Sequence, residues 1–321
     1  MIERHLWHPV AAERDVPHDA PLAVRLLGEE IVLWRDAAGT PQAFDDRCPH
    51  RGTKLSIGRV CANGELECAY HGWRFGSDGR CVSIPALPDF APPLSHAAKR
   101  HALQAACGLL WLRLAEDGEH APPRFDAEAD DRLHKLLVGP FDVGTSAPRI
   151  VENFLDLSHF GFVHEGTLGE RAHTRAEPCE VTADNERGLT VTGARAWQPQ
   201  AHAGAGEGAM VDYGYRVVAP YNAVLTKSQG AYQEAIALFC CPLDAEFTRV
   251  WFRLAVPGHG ADDDSLRDFQ HRVFEQDRVI LEAQRPRRLP LAGGEVHSAA
   301  DRASAVYRRW LQQRGVGYGT C

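Results

Sequence analysis

Two short segments, Cys48-Pro-His50-Arg-Gly and Cys68-Ala-Tyr-His71-Gly-Trp, each carry one cysteine and one histidine beside a glycine. Thiolates and imidazoles repeated in this way call for a metal, and two matching loops clamp such a centre from both sides. The loops need strands to hold them, and the neighbouring sequence supplies strand signals. Between Leu22 and Trp111, apolar runs such as Glu30-Ile-Val-Leu-Trp34 and Gly108-Leu-Leu-Trp-Leu-Arg-Leu114 alternate with turn signals at Ala37-Ala-Gly-Thr40 and Gly76-Ser-Asp-Gly79. That close spacing predicts a small antiparallel β domain.

With 321 residues the chain can bury a second core. The acidic, Gly- and Pro-containing stretch Ala115 to Pro123 marks the boundary, giving domains over 1–117 and 118–321. Past it come a helical segment around Val151 to His164, strand-like runs at Leu189 to Thr192, Tyr213 to Val218, Ala235 to Phe239 and Arg249 to Val256, and a long amphipathic helix. That helix is predicted from Ser265 to about Gln284, opened by Ser265 and Asp268 as a capping pair. The class is α+β, and no internal repeat points to a solenoid or propeller.

Charge narrows the partners. Lys and Arg number 35 against 43 Asp and Glu, a net charge of -8 that argues against general affinity for nucleic acid or anionic lipid and favours a small-molecule substrate. His and Trp in Met1 to Val10 stand where a signal peptide needs an apolar run, and no stretch reaches the length of a membrane span, so a cytoplasmic protein is expected. Nine cysteines are an odd number in a chain too large to need disulfides. Cys61, Cys81, Cys107, Cys179, Cys240 and Cys241 are expected to pack as small hydrophobes.

Two thiolates on one iron and two imidazoles on the other make a Rieske [2Fe–2S] cluster, whose neutral histidines raise its potential above that of an all-cysteine ferredoxin. Structural zinc also takes two Cys and two His, but zinc fingers group like with like, and here the two kinds interleave. A respiratory Rieske protein would carry an extra cysteine in each loop, where Thr53 and Trp73 stand here, and a Rieske ferredoxin would end after one small domain.

A second constellation follows in Glu152-Asn-Phe-Leu-Asp156-Leu-Ser-His159-Phe-Gly-Phe-Val-His164. Asp156 and His159, three apart, share a helical face; His164 does not, so both histidines reach one metal only if the helix ends or deforms near Gly161. In the later helix an apolar stripe runs through Leu266, Phe269, Val273, Ile280 and Leu281, and Asp277 falls within it. A carboxylate among core residues is costly unless it is paired with an arginine or bound to a cation. His159, His164 and Asp277 compose two histidines and one carboxylate, the facial set of non-haem Fe(II) oxygenases.

Both motifs together resemble the α subunits of Rieske non-haem iron oxygenases, and the resemblance runs through nearly the whole chain. Asn153 and the short overall length look like the demethylase and monooxygenase branch, while Tyr307-Arg-Arg-Trp-Leu and Tyr318-Gly-Thr-Cys321 resemble the hydroxylases of saxitoxin biosynthesis. The resemblance implies a catalytic domain with an antiparallel sheet wrapped around helices, a helix-grip arrangement. It implies a [2Fe–2S] cluster on Cys48, His50, Cys68 and His71, and iron on His159, His164 and Asp277 with Asn153 nearby. It also implies a head-to-tail homotrimer in which Asp156 bridges one subunit's iron to a neighbour's cluster.

Electrons would come from a separate NAD(P)H-dependent reductase, directly or through a ferredoxin, since the chain has no dinucleotide fingerprint. O2 activated at iron would hydroxylate a C–H bond, or remove an O- or N-methyl group from an aromatic or amine substrate. An electron carrier without oxygenase activity is the competing class. The pocket is expected along Ala219 to Phe239, with Gln233 as a polar contact near iron, and Arg285, Arg287 and Arg288 as a docking patch for an acidic partner.

Overall fold

The computed structural model describes residues 1–184, 188–200, 208–258 and 262–321. The chain divides into two compact units, Arg4–Pro122 and a second comprising Met1–Glu3 with Pro123–Cys321. The division falls slightly after the expected 117/118 because the acidic stretch is tied down. Trp7 Nε1 donates to the Glu119 carbonyl at 2.8 Å, and Gly118, at φ +135°, lies so close to His5 that a Cβ would sit 2.4 Å from the His5 carbonyl oxygen. Met1–Glu3 joins the second unit because Glu3 Oε1 accepts from the backbone N–H groups of Gly317 and Tyr318 at 2.7 and 2.8 Å.

In the first unit, short strands form three antiparallel sheets. β1 (His8–Ala12), β10 (Leu109–Arg113) and β9 (Ala102–Ala106) make one, and β2 (Leu22–Leu26), β3 (Glu29–Arg35) and β4 (Pro41–Asp45) another. The third runs β5 (Arg59–Val60), β6 (Leu66–Glu67), β7 (Arg74–Phe75), β8 (Cys81–Ser83). Leu27-Gly28 joins β2 to β3 and Cys107-Gly108 joins β9 to β10, both residues of each turn having positive φ. Such two-residue turns twist with their strands and favour glycine second. Cys107 is thus a half-buried turn residue and Cys61, also half-buried, points its thiol at Glu67, so neither is the packed hydrophobe expected, whereas Cys81, Cys240 and Cys241 are buried and Cys179 packs against the second unit's core. Trp34, Phe44, Leu55, Leu66 and Phe75 pack this unit's core against Cys48 and Cys68.

The second unit is built on one seven-stranded antiparallel sheet. Its strands are β11 (Leu133–Val143), β12 (Glu180–Asp184), β13 (Gly188–Gln198), β14 (Ala209–Ala219), β15 (Asn222–Gln229), β16 (Tyr232–Asp244) and β17 (Phe247–Pro257), in the order β11-β17-β16-β15-β14-β13-β12. Alternation along the strands sends Tyr213, Tyr215 and Val217 into the same core as Leu225 and Leu238. Helices α1 (Ala147–Phe154), α2 (Phe160–Val163), α3 (Asp263–Ala283) and α4 (Arg302–Gln313) complete the α+β unit.

Two helical expectations change. The single segment from Val151 to His164 is two helices, broken at Leu155–His159, and the second ends at Val163, two residues past Gly161, so the helix does end near that glycine. Asp156 causes the break, its Oδ1 accepting from the Ser158 N–H at 2.7 Å, a local turn that competes with helix. Gly161 also serves close packing, since a Cβ there would lie 2.9 Å from the Glu170 carbonyl oxygen. Helix α3 starts earlier than Ser265: Asp262 is its N-cap, accepting from the Ser265 N–H at 2.9 Å. Its buried positions are Gln270, Val273, Phe274, Asp277 and Leu281, while Ile280 is exposed. Asp277 therefore lies on the core face, as its place in the stripe predicts.

Candidate metal centres

In the first unit the two cysteine–histidine loops have matching backbones. Cys48 N–H donates to the Thr53 carbonyl and Gly52 N–H to that of Cys48; Cys68 N–H donates to Trp73 and Gly72 N–H to Cys68, all at 2.8 to 3.0 Å. Gly52 and Gly72 hold φ of +74° and +70°, conformations that glycine adopts without strain. The loops place the His50 and His71 Nδ1 atoms 3.1 Å apart. Cys48 and Cys68 are each 2% exposed. Burial pushes the Cys48 thiol up to about 11, the neighbouring Cys68 adding to the rise while backbone N–H groups of His50 and Arg51 oppose it. Thiols held up in this way ionise only beside a cationic partner, a role that a metal would fill. His50 stacks on Trp73 at 4.6 Å, and Trp73 on His96 at 5.2 Å, which fixes the imidazole plane.

In the second unit His159 caps the start of α2 and His164 its end, so one helical turn brings both rings to the same place. Asp277 reaches them from α3. His159 Nε2 and His164 Nε2 are 3.2 Å apart, and each lies 3.3 and 3.2 Å, respectively, from Asp277 Oδ1. Three donors at ~2.1 Å from one ion and roughly at right angles are about 3.0 Å apart, so this near-equilateral triangle fits one metal bound on a single face. Among the described residues it is the one group of three or more such donors.

The outer nitrogens of both rings are also engaged. His164 Nδ1 donates to Gln276 Oε1 at 2.8 Å and His159 Nδ1 donates to Asp156 Oδ2 at 3.4 Å, which turns each Nε2 toward Asp277, where a metal would take the nitrogen lone pair in place of a proton shared with the carboxylate. Burial alone would lower the His159 pKa, but hydrogen bonds to Asp156 and Asp277 outweigh it and hold the ring at about 9. Burial pushes the Asp277 carboxyl up, and the two histidines more than reverse this, leaving it below the usual carboxylate range. Asp156 is likewise held low by His159 and the Ser158 N–H against its burial. Asn153 Nδ2 lies 3.4 Å from Asp277 Oδ1.

A chamber of about 730 Å3, counted to its open mouth, adjoins the triangle. Asn153, His159, His164 and Asp277 form part of its wall, and Phe154, Phe160, Leu168, Tyr215, Ile236 and Phe252 make most of the rest apolar. Asp156 is not in this wall; it lines a separate open cavity with Trp197 and Arg175. Gln233 is not there either. It sits on the exposed side of β16 in a third cavity, and strand alternation sends its neighbour Glu234 inward instead. Gln276, Lys227 and Glu234 were missed by the sequence reasoning; the polar residues in the β15 and β16 strand patterns were the available signal for the last two.

The Rieske [2Fe–2S] domain model matches residues 6–98, and the vanillate O-demethylase oxygenase C-terminal domain model matches residues 143–315. The chain belongs to the Rieske non-haem iron oxygenases. Methylxanthine N1-demethylase NdmA of Pseudomonas putida is 33% identical over 97% of this chain and 88% of its own length. Methylxanthine N3-demethylase NdmB of the same organism is 32% identical over 97% and 89%. The solved structure of NdmA with caffeine superposes with a TM-score of 0.83 at 29% identity, covering 96% of this chain and 90% of that one. Dicamba monooxygenase bound to 3,6-dichlorosalicylic acid, at 20% identity and a TM-score of 0.80 over 98% and 99%, shares the fold.

Membership excludes the bare electron carrier. The chain is an oxidoreductase using O2, with a Rieske cluster and a mononuclear non-haem iron as cofactors. As a terminal oxygenase it draws electrons from a separate reductase. No helix among the described residues is long and apolar enough to cross a membrane.

Proposed function

We propose that this Rieske oxygenase removes an N-methyl group from a small, planar nitrogen heterocycle. The observation that carries the reading is that relatives aligned along 97% of the chain are N-demethylases of methylxanthines. The apolar, aromatic-walled chamber beside the histidine–carboxylate triangle suits a flat ring. In the balanced reaction one oxygen atom of O2 enters a methyl C–H bond, and the other leaves as water with two electrons and two protons. The resulting N–CH2OH group then breaks its N–C bond, giving N–H and formaldehyde.

His159, His164 and Asp277 would hold the iron, which supplies oxygen activation when bound. Cys48, His50, Cys68 and His71 would hold the cluster. Gln276 and Asp156 fix the ring planes of His164 and His159, and Asn153 steadies the Asp277 carboxylate. The chamber's aromatic walls exclude water from the reacting methyl group. Asp156 faces an open cavity away from the chamber, which suits a relay toward another subunit in a homotrimer. A cytoplasmic setting supplies the NAD(P)H that the reductase consumes.

The test is turnover of the iron-loaded protein with a surrogate reductase, NADH and a panel of methylxanthines. Formaldehyde released in step with O2 uptake and loss of one methyl group is expected. A product that keeps every methyl and gains a hydroxyl would replace demethylation with simple C–H hydroxylation.

A further inference from the structure

The chamber's apolar wall is interrupted by two charges. Lys227 on β15 and Glu234 on β16 face each other directly across the strands, with Tyr213 beside Lys227 in the same row. Lys227 Nζ lies 3.4 Å from Glu234 Oε1, and their side chains are 7% and 12% exposed. Tyr232 donates its hydroxyl to Glu234 Oε2 at 2.6 Å, and burial first, then Glu234, pushes that phenol's pKa up, so it stays a donor. Burying such a pair costs free energy that a hydrophobic pair would avoid. The pair stands where the chamber meets a wider outer cavity of about 1390 Å3, counted with its open side, since Tyr213, Lys227 and Glu234 border both.

Chemistry at this mouth is specific. An ammonium has three N–H donors, and its contact with Glu234 Oε1 at 3.4 Å calls on one of them. Glu234 has lone pairs beyond those used by Lys227 and Tyr232. The pair thus offers a donor beside an acceptor with no net charge. Its complement is a neutral ring edge with a carbonyl next to an N–H, as in a lactam, imide or cyclic urea.

We infer that Lys227 and Glu234 select N-methylated heterocycles that still carry a free N–H/C=O edge, holding that edge at the chamber mouth and turning an N-methyl group toward His159, His164 and Asp277. The inference rests on the N-demethylase reading and deepens it. Lys227 would donate to the carbonyl and Glu234 would accept from the ring N–H, with Phe154, Phe160 and Tyr215 stacking along the ring faces. A ring methylated at that nitrogen loses one hydrogen bond and leaves the Glu234 lone pair facing a methyl group.

Theobromine and caffeine test this, because theobromine carries an N–H between two carbonyls where caffeine carries a methyl. Binding of each to the iron-loaded protein is measured by calorimetry, with formaldehyde release followed separately. The native protein should bind theobromine about 10-fold or more tightly than caffeine, the scale of one hydrogen bond to a charged group. Glu234→Gln, and the double variant Lys227→Met/Glu234→Gln that avoids stranding one buried charge, should each pull that ratio toward one. Cluster absorption and melting temperature show that the variants are folded. Equal binding of the two purines by the native protein, or an unchanged preference in the folded double variant, overturns the inference. Failure to release formaldehyde from any purine despite a clear binding preference overturns the demethylase reading while leaving the edge-recognising pair standing.

Discussion

The two candidate metal centres are built in opposite ways. Cys48, His50, Cys68 and His71 lie on two neighbouring loops whose glycines and backbone hydrogen bonds repeat one pattern, and the loop conformation alone brings the histidines together. His159, His164 and Asp277 depend on distant parts of the chain: one helical turn supplies the histidines, and a different helix supplies the carboxylate. The first region is a local clamp. The second is only as good as the packing that holds α3, whose Phe274 meets Phe141 and Phe252 at 4.8 and 5.1 Å.

Ligand removal should break this comparison most severely. Cys68→Ser is expected to abolish both the visible cluster absorption and oxygenation, whereas Asp277→Ala should abolish oxygenation with cluster absorption intact. Joint loss of both iron signals in Asp277→Ala would show that the centres are not built independently. Next, Phe274→Ala should destabilise the second unit by about 3–5 kcal/mol through the cavity it leaves, read by denaturant unfolding, with the first unit's chromophore unaffected. Gln276→Leu removes the acceptor for His164 Nδ1 and should weaken iron binding by about 10–100-fold in a chelator competition. Asp262→Ala, which deletes the α3 cap, should cost about 1 kcal/mol and show as a small fall in melting temperature.

A pH measurement gives the smallest effect. Burial would raise the Glu295 carboxyl, but Arg149 and Arg308 hold it below its ordinary value. A carboxylate depressed in the folded state contributes stability above its unfolded pKa and loses it as pH falls through the folded value. Glu295→Gln should therefore flatten the acid limb of melting temperature between neutral pH and pH 3. Glu67 in the first unit is depressed by Arg59 and then Arg74, whose side chains are 68% and 36% exposed. Solvent screens those partners, so Glu67→Gln should change the limb less.

That these side chains come together in both candidate sites was legible because such donors are chemically unusual at those spacings: the interleaved Cys and His pairs, and an Asp on the apolar face of a helix. The additional break at Leu155–His159 was not legible because the Asp156 side chain, bonding to Ser158, decides between helix and turn, and a window of residues does not show which wins. Gln233 was chosen one residue away from Glu234 because the pattern names a strand before it names which of its faces is inside.

The sequence by itself determined the α+β class and named the donor residues of the two candidate centres, since donor chemistry and hydrophobic period are written locally. Only the tertiary structure decided that three donor atoms close to a triangle of 3.2 to 3.3 Å and that Lys227 and Glu234 border the chamber. Both depend on strand register and on the packing of α3 against the sheet, and those are set by contacts between residues far apart in the chain.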